Sequence, residues 1–234
     1  MVDRKFINVK PEKVRLVRLI SAIRAGSYRI PIFQRDFVWE GKDMLDLFDS
    51  ISRGYPIGSL LFWIPMMKLK DTGQFGPYVI LSGVDDYSYI LDGFQRVSTL
   101  FGALINPNDD LLKVTDEKDL LKFQIFYDLL NKEFVPYKKS YEVDVCYIPL
   151  YVLIDTYEFL VYLDRLKPLE KSEELIANAR ELATVLIDYE IPYVEILGGD
   201  IHSAVEFFSR ANSKGKGIST DWMISALSYV EGDF

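Results

Sequence analysis

Cysteine and histidine are almost absent from this chain of 234 residues. Its single cysteine, Cys146, has no partner for an internal disulfide and fits a reducing compartment. Its single histidine, His202, cannot supply a histidine-rich metal site or a conventional histidine-centred catalytic network. We expect Cys146 to be a buried structural thiol, since it lies in an apolar run, and His202 to lie on a helix surface.

Long hydrophobic runs are also missing. No apolar stretch reaches the length of a membrane span, and the polar, charged N-terminus does not resemble a signal peptide. The composition is nevertheless 49% hydrophobic and 14% aromatic, which argues against disorder. The chain is long enough for one large domain or two small ones with a real core, and we expect no contact with a membrane.

The net charge of −8 is unevenly distributed along the chain. Residues 1–35 hold nine basic and two acidic residues, whereas the remainder holds 18 basic and 33 acidic residues. Because affinity for nucleic acid depends on neutralising phosphates, an acidic chain is a poor general DNA binder. The basic start predicts either a local anion-binding face or a solvated surface.

Several well-known sequence signatures are absent. The glycine-basic loop Asn212–Gly217 is not a Walker A motif, because no Gly-Lys-Ser/Thr follows a four-residue spacer. There is no dinucleotide-binding fingerprint, zinc-ligand spacing, Ser-His-Asp set, obvious helix-turn-helix, internal repeat or low-complexity tract. These absences exclude the commonest nucleotide, zinc and hydrolase sites.

Hydrophobic periodicity and turn residues predict a mixture of helices and strands. The predicted helices cover residues 11–25, 42–53, 94–106, 151–166, 171–188, 200–211 and 218–230. The predicted strands cover residues 28–33, 59–64, 77–81, 88–91, 123–129, 133–137 and 189–197, with an extended piece at 143–149. Residues 65–76 are predicted as a loop, and residues 108–120 as a loop or weak helix.

The turn between the strand at 88–91 and the next helix organises the chain. Gly93 tolerates a positive φ or a close backbone approach, and a helix N-terminus after it favours a bound anion. Arg96 adds a forked cationic donor suited to phosphate, and Ser98 and Thr99 add hydroxyl groups. Asp92 is expected to cap the helix, hold a bridging Mg²⁺ or orient a water.

The structural alternative is an ordinary capped turn at Asp92 and Gly93, with Arg96 as a surface charge. Gln34 and Arg35 form a second polar pair, at the exit of the strand at 28–33. This pair suits a ligand, and its alternative is an exposed loop.

Three ordered, separated boxes carry a family resemblance. They are residues 30–39, residues 49–59 and residues 91–100, the last with Asp-Gly-Phe-Gln-Arg at 92–96, and a fourth element follows at 207–219. Together they resemble the N-terminal domain of GmrSD-type (type IV) restriction systems over about residues 11–230. The family signature is Asp-Gly-Gln-Gln-Arg, so Phe94 replaces the first glutamine and one polar contact is lost.

The resemblance implies a fold and a domain organisation. The family is similar to the ParB/sulfiredoxin superfold, so we expect an α+β chain with a mixed sheet and flanking helices. Residues 1–140 would form the nucleotide-binding core, and residues 141–234 a mainly helical extension that packs on it and carries the loop with Asn212 and Gly215.

The resemblance also implies a function: binding and hydrolysis of a nucleoside triphosphate in a cytoplasmic, bacterial or archaeal phage-defence protein. The implied catalytic residues are Asp92, Gln95 and Arg96, with Asp92 as a ligand of Mg²⁺. The implied nucleotide contacts are Gln34, Arg35, Gly93, Arg96, Val97, Ser98, Thr99 and Asn212. A separate HNH nuclease domain or subunit would cleave DNA, because no nuclease segment is present here and one histidine could not supply it.

The main alternative is a non-catalytic ParB-like module that binds DNA or a protein through the basic N-terminal third. Redox chemistry of the sulfiredoxin type is excluded by the residues, because the turn carries no cysteine and Cys146 is distant in sequence.

Overall fold

A mixed five-stranded sheet lies at the centre of the chain. The computed structural model describes residues 8–32, 34, 36–66, 68–81, 83–204 and 206. The spatial order of the strands is β1 (Asn8–Arg15), β11 (Glu190–Leu197), β3 (Leu60–Ile64), β6 (Ser88–Asp92) and β2 (Tyr28–Arg29). β11 runs parallel to β3 and β2 parallel to β6, whereas the β1–β11 and β3–β6 pairs are antiparallel.

Two smaller antiparallel sheets flank the central one. The first contains β4 (Gln74–Phe75), β5 (Tyr78–Ile80) and β7 (Leu112–Val114). The second contains β8 (Ile125–Asp128), β9 (Glu133–Pro136) and β10 (Tyr147–Pro149). The predicted hairpin over 123–137 is confirmed by the pairing of β8 with β9.

Seven α-helices precede the helical residues 201–204 and 206 at the end of the described ranges. They are α1 (Leu16–Arg24), α2 (Gly41–Ser52), α3 (Phe94–Leu104), α4 (Glu117–Phe123), α5 (Leu150–Ile154), α6 (Thr156–Leu166) and α7 (Ser172–Asp188), with a short 3₁₀ helix at Lys139–Glu142. The sheet with its flanking helices confirms the predicted α+β class, and the likeness to the ParB/sulfiredoxin superfold stays a prediction. None of the helices in these ranges is long and apolar enough to cross a bilayer.

The apolar residues of the central strands divide between two cores. β3 is a continuous apolar run because both of its faces are covered. Leu60, Phe62 and Ile90 belong to the main core together with α1, α2 and α3. Leu61, Trp63, Tyr89 and Leu91 face the other way and pack with Ile196, Ile201 and Ala204.

The predicted helix at 11–25 is wrong in its first half. Residues 8–15 form β1, and the helix begins only at Leu16. Pro11 fits the first turn of a helix, but it also fits an edge strand, where its missing N–H breaks no ladder. β1 is such an edge strand, since it pairs only with β11 among the described residues.

Other predicted elements change in their boundaries. The predicted helix at 151–166 is broken at Asp155, whose carboxylate accepts a hydrogen bond from the backbone N of Glu158 and so caps α6. The predicted loop at 65–76 contains β4. Residues 108–120, predicted as a loop or weak helix, contain β7 and the start of α4. The predicted strand at 28–33 is reduced to β2, followed by a bridge between Pro31 and Asp71.

The C-terminal predictions fall largely outside the described residues. The carboxylate of Asp200 accepts hydrogen bonds from the backbone N of Ser203 at 3.0 Å and from its hydroxyl at 2.8 Å, as expected of a helix cap. The rest of the predicted helix at 200–211, beyond residue 206, and all of the one at 218–230 lie outside the described ranges. The domain boundary after residue 140 stays a prediction, although β11 lies between β1 and β3 in one sheet.

Candidate functional site

The turn between β6 and α3 has the geometry that its sequence predicts. Asp92 ends β6, Gly93 adopts a left-handed conformation with φ of 91°, and α3 begins at Phe94. A Cβ atom at Gly93 would collide with Leu60 and approach the Arg96 guanidinium to 3.2 Å. Both the positive φ and the tight packing therefore require glycine here.

Arg96 folds back over this turn and holds the segment that precedes β3. Its Nη1 donates to the backbone oxygen of Ile57 at 2.7 Å, and its Nη2 donates to that of Ser59 at 3.1 Å. Nη2 also contacts the Asp92 carboxylate at 3.2 Å. These contacts use three of the five N–H donors of a guanidinium, and the described residues provide no hydrogen-bond partner for the other two.

Arg96 and Asp92 differ in their access to solvent. The Arg96 side chain is 17% exposed and that of Asp92 is 40% exposed. Burial lowers the pKa of Arg96, and the nearby Asp92 carboxylate opposes that shift. Since an arginine stays protonated in proteins, the turn retains a fixed positive charge beside an accessible carboxylate.

Gln34 reaches the same strand end from the segment after β2. Its amide Nε2 donates to the backbone oxygens of Ile90 at 3.1 Å and Leu91 at 2.8 Å. Because these two residues immediately precede Asp92, Gln34 lies beside the turn. The predicted neighbours Gln34 and Asp92 are thus brought together by the parallel pairing of β2 with β6.

Gln95 is buried and bonded to the protein backbone. Its Oε1 accepts from the backbone N of Val38 at 2.9 Å and of Trp39 at 3.2 Å, while its Nε2 donates to the oxygen of Asp36 at 2.9 Å. The side chain is only 4% exposed. In this arrangement Gln95 fixes the segment 36–39 against the start of α3.

The N-terminus of α3 carries no side-chain cap. The backbone N of Val97 donates to the oxygen of Gly93 at 2.9 Å, which closes the first turn of the helix. The N–H groups earlier in that turn are those that a helix leaves without an internal partner. These N–H groups belong to the same turn as Arg96 and follow directly after Asp92, whose side chain is 40% exposed.

Ser98 and Thr99 lie in the interior instead of at the surface of the turn. Both residues are fully buried, and their hydroxyl groups have no hydrogen-bond partner among the described residues. A contact between either hydroxyl and a phosphate at the turn would require α3 to move.

Two predicted site residues lie outside the described residues, namely Arg35 and Asn212, and so does Gly215. Asp92 directly precedes Gly93 and the uncapped end of α3. No cluster of three or more histidine, cysteine or carboxylate side chains occurs in the described part of the chain. Asp92 alone still fits Mg²⁺, because this ion is often held by one carboxylate together with substrate phosphates.

The remaining predictions about single residues have clear outcomes. Cys146 is only half-buried, so its predicted burial is not confirmed; burial together with Asp144 raises the pKa of its thiol. His202 is exposed, as predicted.

The basic N-terminal stretch is partly neutralised by acidic residues. Lys13 pairs with Glu190 at 2.6 Å, and Arg15 lies 3.8 Å from Asp188. Arg24 pairs with Asp109 at 2.5 Å. This pairing weakens the case for a DNA-binding face built from these residues.

Sequence patterns do not predict the segment 57–59, which contacts Arg96 beside the turn. The oxygens that receive Arg96 belong to Ile57 and Ser59, on either side of Gly58, and Gly58 has φ of 86°. A Cβ at Gly58 would lie 2.7 Å from Nη1 of Arg96. The Pro-Ile-Gly sequence at 56–58 marks a turn, but nothing local indicates its partner 39 residues away.

The fold and the turn together define a class of protein. It is an α+β domain in which an Asp-Gly-x-Gln-Arg turn precedes an uncapped helix, and in which Gln34 is hydrogen-bonded to the strand before that turn. The sequence profile described as GmrSD restriction endonuclease, N-terminal domain, matches residues 16–227. The chain belongs to this family.

A curated relative offers a partial match. The chain is 28% identical over 125 residues to the uncharacterized protein MJ0686 of Methanocaldococcus jannaschii. The match covers 50% of this chain but only 20% of the length of that protein.

Proposed function

We propose that this chain is a nucleoside triphosphate-binding and hydrolysing regulatory domain of a phage-defence restriction protein. The observation that carries the proposal is the uncapped N-terminus of α3, flanked by the Arg96 guanidinium and the exposed Asp92 carboxylate. Family membership supplies the restriction-system context.

The physics of the turn favours a polyanion. N–H groups without an internal partner at a helix N-terminus, and the positive end of the helix dipole, attract phosphate oxygens. Arg96 has two further N–H donors and is held in place by Ile57 and Ser59, so a phosphate would not have to order a mobile side chain. A fixed cation at low exposure is also screened less by salt than a surface charge.

Each residue around the turn takes a role in this proposal. Arg96 and the N–H groups of the first turn bind phosphate oxygens. The amide nitrogen of Gln34 already donates to Ile90 and Leu91, so its amide oxygen is left to accept a hydrogen bond from a water. Asp92 holds Mg²⁺ or orients the attacking water. Gln95 acts as a positioning residue, because its hydrogen bonds hold the segment that follows Arg35.

The bound metal would supply neutralisation of the charge on the phosphates. The chain's own residues would supply position: Arg96 orients the phosphates, and Asp92 can accept a hydrogen bond from water. Phe94 takes the place of a glutamine in the family signature, so the turn has one polar side chain fewer for this task. Arg35 and Asn212 are proposed as further contacts on the strength of the family resemblance.

Partners are part of the same proposal. A nuclease domain or subunit would cut DNA in response to the state of the nucleotide. The match to the archaeal relative covers a small share of that protein, which is compatible with a domain that works alongside others.

Phosphate release from ATP, GTP, CTP and UTP, measured with and without Mg²⁺, tests the proposed activity. We expect release that depends on Mg²⁺ and is lost in Asp92→Asn. Absence of release with all four nucleotides would contradict hydrolysis and leave binding as a separate question.

Nucleotide-induced thermal stabilisation tests the role of Arg96 in binding. Loss of a hydrogen bond to a charged group costs about 1.5–3 kcal/mol, so Arg96→Ala should weaken binding roughly 10- to 150-fold. The matched control is Arg53→Ala, which removes an exposed arginine paired with Asp49 at 2.9 Å. Equal nucleotide responses in the two variants would remove Arg96 from the site, whatever their intrinsic stabilities.

A further inference from the structure

A separate cavity lies at the opposite end of α3. It has a volume of about 270 Å³ and is lined by the C-terminal end of α3, the strands β8 and β10, and the helices α5 and α6. Asp92, Gly93 and Arg96 do not line it. Five tyrosines contribute to its walls: Tyr78, Tyr141, Tyr147, Tyr151 and Tyr162.

Tyr78 lines this cavity and is almost completely buried. Its side chain is 1% exposed, and its hydroxyl makes no hydrogen bond to any residue that the structure describes. Burial raises the pKa of this hydroxyl, with a further contribution from Tyr151, which lines the same cavity. Tyr78 is therefore a neutral phenol whose oxygen can accept a hydrogen bond from a ligand.

The charges around the cavity are predominantly negative. Glu142, Asp144 and Glu158 line it, against the single cation Arg165. Arg165 already lies over the ring of Tyr162, 5.1 Å from its centroid. Glu158 also acts on the hydroxyl of Tyr151, whose pKa is raised first by burial and then by this carboxylate.

The backbone adds to the same electrostatic preference. Gly102, Ala103 and Ile105 line the cavity, and they lie at or just beyond the last turn of α3. The C-terminal end of a helix carries partial negative charge and favours cations. Tyrosine rings attract cations through their negative faces.

We propose that this cavity binds a small organic cation through an ammonium group, with a linear diamine or polyamine as the ligand class. Glu158 pairs with the ammonium, the hydroxyl of Tyr78 accepts a hydrogen bond from it, and the tyrosine rings cover the aliphatic chain. A phosphate or carboxylate ligand would face three carboxylates and the negative end of α3. The volume suits a chain of a few carbons better than a nucleotide.

Calorimetric titration of the full chain with putrescine and spermidine tests this assignment. We expect saturable binding at one site per chain. The neutral isostere 1,4-butanediol should not bind, because it has the length of putrescine without its charges. Binding of butanediol as tight as that of putrescine would overturn the role of the carboxylates.

Two variants and one control localise the site. Glu158→Gln should weaken putrescine about tenfold, the effect of losing one charge-assisted hydrogen bond. Tyr78→Phe should weaken it several-fold and leave the melting temperature unreduced, because the hydroxyl has no partner in the described part of the chain. Glu170→Gln removes an exposed carboxylate in the turn after α6 and should bind like the wild type.

Equal weakening in Glu158→Gln and Glu170→Gln would show diffuse attraction to an acidic chain and overturn the site. Failure of every amine to bind would also overturn it. Neither result would bear on nucleotide binding at the other end of α3, because the two sites share no lining residue.

Discussion

At the scale of single residues, Arg96 and Gln95 both have structural parts. Arg96 ties the segment 57–59 to the turn. Gln95 belongs to the signature box, but its side-chain amide is hydrogen-bonded to the backbone of residues 36–39. A signature residue can therefore shape a site without touching what the site binds.

Gly93→Ala tests the conformation of the turn. Placing alanine at a positive φ costs about 1–3 kcal/mol, and the clash of its Cβ with Leu60 should add about 1–3 kcal/mol. The free energy of unfolding, from urea denaturation, measures the sum.

Gly54→Ala is the matched control for this experiment. Gly54 has φ of 70°, and a Cβ there would meet no atom within 4 Å. It therefore isolates the backbone cost. If the two variants lost the same stability, the close packing of Gly93 on Leu60 would have no energetic weight.

At the scale of elements, sequence periodicity recovers the pieces whose signals are local. α2 has its apolar stripe at Met44, Leu47, Phe48 and Ile51, and all four residues are buried. β6, its glycine turn and α3 follow from an apolar run, a breaker and helical spacing. The sequence predicts one helix over residues 151–166, whereas the structure has two, α5 and α6. The break at Asp155 is not predictable because only its hydrogen bond from the backbone N of Glu158 identifies it as a helix cap.

Non-local contacts explain the errors that remain. Residues 8–15 form a strand only because β11, far along the chain, supplies the pairing edge. Gln95 contacts Val38, which lies 57 residues earlier in the chain. Arg96 contacts Ile57, which lies 39 residues earlier. No spacing rule within one element predicts such contacts.

The hairpin β8–β9 gives a pH-dependent prediction at this scale. Asp128 is buried, which acts to raise its pKa, but hydrogen bonds from Asn131 and Leu130 outweigh burial and lower it. A carboxylate with a lowered folded pKa stabilises the fold above its unfolded pKa of about 3.9, and this contribution is lost as pH falls through the folded value.

Asp128→Asn should therefore lose about 1.5–3 kcal/mol of stability at pH 7. The difference from wild type should shrink below about pH 4. Urea denaturation at both pH values checks this, with the exposed Asp164→Asn as control. A difference independent of pH would contradict the role given to the charged carboxylate.

At the scale of the whole molecule, the chain order and the sheet order disagree. β11 comes from the last quarter of the chain, yet it lies between β1 and β3 in the central sheet. The pairing of β11 with both neighbours makes the predicted core at 1–140 depend on residues beyond it.

A fragment of residues 1–140 should therefore lack a cooperative fold. This fragment lacks β11, so β1 loses its strand partner and β3 loses its neighbour on one side. Thermal unfolding followed by circular dichroism should show no transition for the fragment and a sigmoidal one for the full chain. A cooperative transition in the fragment would support the boundary at residue 140 instead.

The central claim is that the first turn of α3 binds the phosphates of a nucleotide. Amide resonances of Gly93–Arg96, followed by ¹H–¹⁵N correlation spectra of the full chain during titration with nucleotide and Mg²⁺, test it most directly. We expect saturable shifts that are largest at these amides. Nucleotide binding that leaves the amides of Gly93–Arg96 unshifted, or no binding by any of the four nucleotides, would contradict it.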